Sequence, residues 1–93
     1  MDETNCIVIQ GHLDRDAEVV EKGNRVTCNL NLLVAKNSSK NNSFFSFPVV
    51  VKGEKAKVFR DMLIQGSIVR IAGALSEKKG NIFISAESLE IRK

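Results

Sequence analysis

The sequence contains few of the residues on which most enzymes and metalloproteins depend. Its 93 residues include two cysteines, one histidine, one proline, and neither tryptophan nor tyrosine. A metal site needs three or four clustered ligands, and His12 has no cysteine or second histidine nearby. His12 is also the one histidine that a serine or cysteine nucleophile could use as a base, and no catalytic motif surrounds it. We therefore expect no enzymatic activity, no metal and no cofactor.

The sequence also gives no indication of a disulfide bond or of a membrane-spanning segment. Cys6 and Cys28 each lie in an alternating apolar run, which predicts buried, reduced thiols. No run approaches the ~18 apolar residues that span a bilayer, and no charged-then-apolar leader opens the chain. With 43% hydrophobic and 27% charged residues, the composition is that of an ordinary globular protein. The length predicts one domain over residues 1–93, and we expect it in the cytoplasm.

The charge is distributed unevenly. The formal net charge is +3, but residues 1–21 carry −5 and residues 22–93 carry +8. A small domain with a basic body attracts polyanions, of which nucleic acid is the commonest. The alternative is that the lysines only keep the surface hydrated.

The chain is predicted to consist of short strands separated by turns. Apolar residues alternate with polar ones over residues 26–34, which indicates a strand with one buried face. Residues 6–10, 19–20, 44–52, 67–76 and 82–91 also have strand character, and residues 21–24, 36–43 and 77–81 are predicted turns or loops. Pro48 cannot donate to a ladder, so it predicts an edge or a bulge.

One segment has the period of a helix. Between Gly53 and Gly66, apolar residues recur as the stripe of a short amphipathic helix (Ala56, Phe59, Met62 and Leu63). Five strands with a helix between the third and fourth is the layout of an OB-fold, an all-β barrel. Gly11 and Gly73 fall mid-strand, where barrel strands bend. An α+β sheet with a packed helix is the alternative.

A strand-built groove for single-stranded nucleic acid needs cations along the phosphate path and flat side chains on which bases stack. Phe45, Phe47 and Phe59 fall in phase with the core, whereas Phe44 and Phe83 fall out of phase and are stacking candidates. A dimer contact or a partly covered surface is the alternative for both. The candidate phosphate-binding residues are Lys22, Arg25, Lys36, Lys40, Lys52, Arg70, Lys78 and Lys79.

Four segments together resemble the bacterial single-stranded DNA-binding proteins: GHLDRDAEV, VTCNLNLLVAK, FPVVVKGEKAKVFRDMLIQGSIVRIAGAL and AESLEI. The resemblance covers about residues 5–91 and is densest from Pro48 to Leu75. It implies an OB-fold that binds single-stranded DNA without sequence specificity, in DNA replication, recombination or repair. It also implies a homodimer or homotetramer with Asn5 to Gln10 at the interface.

The chain departs from that family in its aromatic residues. The positions of the family's usual stacking aromatics are occupied by Ser38, Ser46, Lys52 and Gly80. The related primosomal replication protein B has a single stacking aromatic four residues before its Pro-Val pair, the position that Phe44 occupies here. Its last-hairpin lysines resemble Lys78 and Lys79.

Three functions therefore remain open at this stage. The first is general single-stranded DNA binding, and the second is a replication-restart accessory role like that of primosomal replication protein B. The third is an OB-fold protein-interaction module with little nucleic-acid binding, which the absence of Trp and Tyr favours and the basic body opposes. Single-stranded RNA could bind through the same cations and stacking side chains as DNA.

Overall fold

The computed structural model describes residues 3–36, 43–54, 56 and 61–92. Six β-strands cover most of this length, as the period-two patterns predict. They are β1 (Ile7–Leu13), β2 (Glu18–Lys22), β3 (Arg25–Ala35), β4 (Phe44–Lys52), β5 (Ile68–Lys78) and β6 (Asn81–Arg92).

The strands close into a five-stranded barrel. Neighbouring strands follow the order β1-β5-β6-β4-β3, and a further pairing of β1 with β3 completes the ring. All pairings are antiparallel except that of β4 with β6. This is the OB-fold that the sequence predicts.

The strands β1 and β2 are two halves of one bent strand. β2 pairs with the first half of β3, whereas β1 pairs with β3 through His12 and Leu13. Between the halves, the Asp14 N–H donates to the Asn31 carbonyl over 3.1 Å. The barrel therefore has five strands, the first of them interrupted.

Two glycines permit neighbouring strands to approach each other closely. A Cβ on Gly11 would collide with the Leu33 carbonyl oxygen, and one on Gly73 would collide with that of Ser85. A register shift between β5 and β6 occurs at Ala72/Gly73. Gly11 and Gly73 both lie mid-strand, as predicted, and only a residue without a side chain fits at these close approaches.

The alternation of β3 determines which of its side chains enter the barrel. Val26, Cys28, Leu30 and Leu32 are buried, while Asn29 between them is exposed. Side chains from the other strands complete the core, namely Leu13, Val49, Val51, Val69, Ile71 and Ile84. The buried, free Cys28 thiol agrees with the sequence prediction.

Several residues predicted to be buried are instead exposed. Cys6 is exposed because it precedes β1, and Phe45 (43%) and Ile82 (55%) lie near the starts of β4 and β6. Near these strand ends, a side chain that points towards the barrel interior is not covered by a strand on the other side of the barrel. Met62 is 47% exposed, and its neighbour Leu63 occupies the core.

The middle of the predicted helix, with Phe59, lies outside the described residues, and Ala56 is buried in the core. The prediction is wrong for Met62 and Leu63, which lie in a turn and in irregular backbone and not in a helix. Among the residues described, no helix is long and apolar enough to cross a membrane. The prediction of an edge or a bulge at Pro48 is wrong, because β4 lies between β3 and β6 and its register with β3 is unbroken at Pro48. Pro48 precedes Val49, where the pairing of β4 with β6 begins.

Candidate nucleic-acid interface

The outward-facing residues of β3, β4 and β6 form one continuous surface, which we call the outer face. Cross-strand pairing of β3 with β4 places Thr27 beside Lys52, Asn31 beside Pro48, and Ala35 beside Phe44. Ser85 of β6 adjoins Val50 of β4 in the parallel pairing. The outer face consists of Thr27, Asn29, Asn31, Leu33, Ala35, Phe44, Ser46, Pro48, Val50, Lys52, Phe83 and Ser85.

Three cations gather at one end of the outer face, beside the β2–β3 turn. Lys22 is paired directly with Arg25 across that turn, and Lys52 is paired with Thr27, two residues further along β3. All three cations are exposed. Gly23 makes the turn possible with a φ of 59°. We call this region the turn end.

The opposite end of the outer face, which we call the loop end, carries the exposed ring of Phe44 and more lysines. Lys36 follows β3 directly, and its N–H donates to the Ser43 carbonyl over 3.1 Å. The β5–β6 hairpin also ends here, because β6 runs parallel to β4. The loop end and the turn end lie eight residues apart along β4, roughly 26 Å at ~3.3 Å per residue.

The lysines of the last hairpin are held by a tight turn. Lys79 and Gly80 both have positive φ, 53° and 82°, as the central residues of a two-residue type I′ turn do. Lys78 is paired with Asn81 just before the turn. The predicted compact charged turn is confirmed, and it presents both lysines to solvent.

Phe83 shares the outer face with Phe44. It directly precedes Ile84, which pairs with Val49, so its register places it beside Pro48. Phe83 is half-buried, whereas Phe44 is 44% exposed. Both are out of phase with the core, as the sequence predicts, and Phe44 is the more accessible of the two.

A chain of hydrogen bonds crosses the middle of the outer face. The Ser46 hydroxyl donates to Oδ1 of Asn31, and Nδ2 of Asn31 donates to Oδ2 of Asp14 over 3.1 Å. These bonds fix the orientation of the Asn31 amide. They also place one carboxylate on a surface whose two ends are basic.

His12 has none of the sequence surroundings of a catalytic base, and the fold places its ring on the outer face beside Phe44. Its ring meets the Phe44 ring edge to face, with centroids 5.1 Å apart and planes at 89°. The two rings are brought together because β1 and β4 lie on either side of β3 at this point. No local pattern could indicate this contact, since the residues are 32 positions apart in the sequence.

Three predicted features lie elsewhere. Arg70 is exposed on the part of the barrel formed by β1, β5 and the end of β6, where its cross-strand neighbours are Gln10 and Glu90. Lys40 lies outside the described residues. In the segment predicted to be an interface, the Asn5 side chain makes two 2.8 Å hydrogen bonds with the backbone of Leu75.

The described residues form a binding surface with little reactive chemistry. Within them, no three His, Cys, Asp or Glu side chains come together in a way that could hold a metal ion. Burial raises the pKa of the Cys28 thiol, because desolvation disfavours the thiolate. That thiol is enclosed in the core, away from the outer face.

The comparison with solved structures agrees with this architecture. The wild-type single-stranded DNA binding protein from Thermus aquaticus, known from a crystal structure, has a similar fold. The TM-score is 0.81 at 21% sequence identity, over 97% of this chain and 41% of that one. The chain thus spans less than half the length of that protein. No family model matches the sequence. A search of curated protein sequences also finds no match.

Proposed function

We propose that the protein binds single-stranded DNA on its outer face, without sequence specificity and without catalysis. The observation that carries this proposal is the exposed Phe44 ring on a strand surface with cations at both ends. Cations that follow the backbone and an aromatic ring on which a base stacks are the two elements of such sites. The likeness to the Thermus protein supports the same function.

Phosphate contacts supply most of the affinity in this proposal. The cations at the turn end and the loop end number six among the described residues, namely Lys22, Arg25, Lys36, Lys52, Lys78 and Lys79. The middle of the outer face carries amides, hydroxyls and apolar groups, with the Asp14 carboxylate bound to Asn31. A strand lying along the face would contact phosphates at both ends and present its bases between them.

Few aromatic side chains are available for stacking. Each stacked base contributes roughly 1–3 kcal/mol. The resemblance implies rings at four positions that Ser38, Ser46, Lys52 and Gly80 occupy here. We therefore expect moderate affinity that depends steeply on salt, because counterion release dominates. We place the function in DNA replication, recombination or repair, in the cytoplasm.

The test is the fluorescence anisotropy of a labelled oligothymidine of about 35 nucleotides, titrated at several salt concentrations. A duplex of the same length serves as a competitor. We expect binding at low salt that weakens steeply as salt rises and that the duplex does not displace. Absence of binding at low salt, or affinity that hardly changes with salt, would overturn the proposal.

We also propose that the protein self-associates through β1. This strand pairs with β5 along Ile7–His12 but with β3 only at His12 and Leu13, so among the described pairings one edge of Ile7–Gly11 is open. Open strand edges readily pair with another chain, and Val8 is 55% exposed. Sedimentation velocity should show a dimer or tetramer that Val8→Glu weakens.

A protein-interaction role is the second candidate. Phe45, Leu75 and Ile82 are inward-phase side chains near the loop end of the barrel, and each is at least 43% exposed. Exposed apolar groups of this kind often contact protein partners. A pull-down repeated after nuclease treatment separates the two functions, since a contact bridged by DNA would disappear.

A further inference from the structure

We propose that His12 and Phe44 together form a seat for one unpaired base, with Phe44 as the stacking plane and the imidazole as a wall beside it. This inference rests on the proposed function. It adds a binding residue from β1, a strand that supplied no candidate contact in the sequence analysis. It also places the main stacking site at the loop end of the outer face.

The geometry of the two rings carries the inference. The centroids are 5.1 Å apart and the ring planes stand at 89°, so the rings enclose a corner. Phe44 is 44% exposed and therefore has ring surface available to a ligand. A base stacked on Phe44 would be bordered on one side by the imidazole, which limits how far it can slide.

The imidazole of His12 lies among apolar neighbours. Its cross-strand neighbours are Leu33 of β3 and Ile68 of β5, both apolar, and Ile68 is 44% exposed. Within the described part of the chain, Phe44 is the one side-chain partner found for the imidazole.

The seat also accounts for a departure in the sequence. Ser46 occupies a position where the resemblance implies a stacking aromatic. Ser46 is paired with Leu33, which in turn is paired with His12. The imidazole and Phe44 thus supply aromatic rings near the position where the serine supplies none.

The first experiment is proton NMR of the untagged protein. Because the chain contains one histidine, its imidazole signals need no further assignment. Phe44→Leu should shift these signals in the free protein, since the ring current of Phe44 is removed. Adding oligothymidine should shift them in the wild type, and an oligomer of the same length with abasic sites should shift them much less. Equal shifts with both oligomers would assign His12 to the sugar-phosphate path and overturn the seat.

The second experiment compares three variants by anisotropy at fixed salt. His12→Phe keeps a ring and should bind within about twofold of the wild type. His12→Leu keeps apolar bulk without a ring and should bind about 3- to 10-fold more weakly, the range expected for an aromatic pair. His12→Ala should resemble His12→Leu, with an unchanged salt slope in both.

The outcomes separate the two proposals. If the wild type binds and Phe44→Ala weakens binding while His12→Leu does not, the seat is wrong and the proposed function stands. If the wild type does not bind oligothymidine at low salt, the proposed function itself is wrong. Thermal unfolding of each variant shows whether a loss of binding reflects a loss of folded protein.

Discussion

Phe44 and Phe45 are consecutive residues of nearly equal exposure, 44% and 43%, that lie on opposite sides of β4. Phe44 is paired with Ala35 on the outer face, and Phe45 is paired with Val34 on the side that leads into the barrel. The pleat of the strand separates them, since successive side chains point to opposite faces. This pair allows a test of the outer face with the same residue type on both sides.

Replacing Phe44 by alanine should weaken oligothymidine binding by at least about fivefold, since a stacked base contributes roughly 1–3 kcal/mol. Phe45→Ala should bind within about twofold of the wild type, because its ring faces away from the proposed DNA path. Anisotropy at one salt concentration measures both. Equal losses in the two variants would show that DNA does not lie on the outer face.

The lysines of the last hairpin should contribute charge and not stacking. Lys78→Ala with Lys79→Ala should reduce the slope of log K against log salt by roughly 1.4, at about 0.7 per phosphate contact on a single strand. The control is Arg92→Ala, which removes a cation that Glu90 already binds over 3.1 Å. The same change of slope per charge at Arg92 would mean that only net charge matters.

Asp14 places a carboxylate on a surface proposed to bind phosphates. Asp14→Asn keeps an oxygen that can accept from Asn31 and removes the negative charge, so binding at low salt should tighten by about two- to fivefold. The charge-matched control is Asp16→Asn. In the wild type, the Asp16 carboxylate accepts a hydrogen bond from the Gln65 N–H over 2.7 Å. That variant should lose some stability and leave the affinity unchanged. A similar gain in affinity at both positions would indicate a general charge effect.

Gly73 is required by the close approach of two strands. A methyl group there would collide with the carbonyl oxygen of Ser85, so Gly73→Ala should lower the free energy of unfolding by about 2–3 kcal/mol. For a domain of this size that lowers Tm by roughly 8–24 °C. Gly23→Ala, at a site with a φ of 59° and open space around it, should cost about 1 kcal/mol. Calorimetry of both variants checks the difference.

The two thiols should differ in reactivity. Burial raises the pKa of Cys28, so at pH 8 iodoacetamide should label Cys6 alone in the folded protein and both cysteines after unfolding. Above about pH 8.5, Cys28 loses its proton in the unfolded chain while it is still protonated in the folded protein. The free energy of unfolding should therefore fall as the pH rises. Cys28→Ala should remove that part of the pH dependence. Rapid labelling of both thiols in the folded state would contradict the buried position.

The sequence by itself determined the strands, their inward and outward faces and most of the core. A period of two over β3 and β4 is a local property, and so are the turn at Lys79 and Gly80 and the need for glycine at a bend. The same patterns separate Phe44 from the core correctly. They fail for Phe45 and Ile82, because whether an inward-facing side chain is covered depends on how far the opposite wall of the barrel extends.

Only the tertiary structure decided which residues meet. Barrel closure brings β1 against β3 and so places His12 beside Phe44, and it assigns Arg70 to a region with Gln10 and Glu90 as neighbours. It also gathers Lys22, Arg25 and Lys52 at one end of the outer face. These relationships arise from strand order and register, which depend on contacts between residues far apart in the chain. Composition and periodicity describe each strand alone and carry no information about its neighbour.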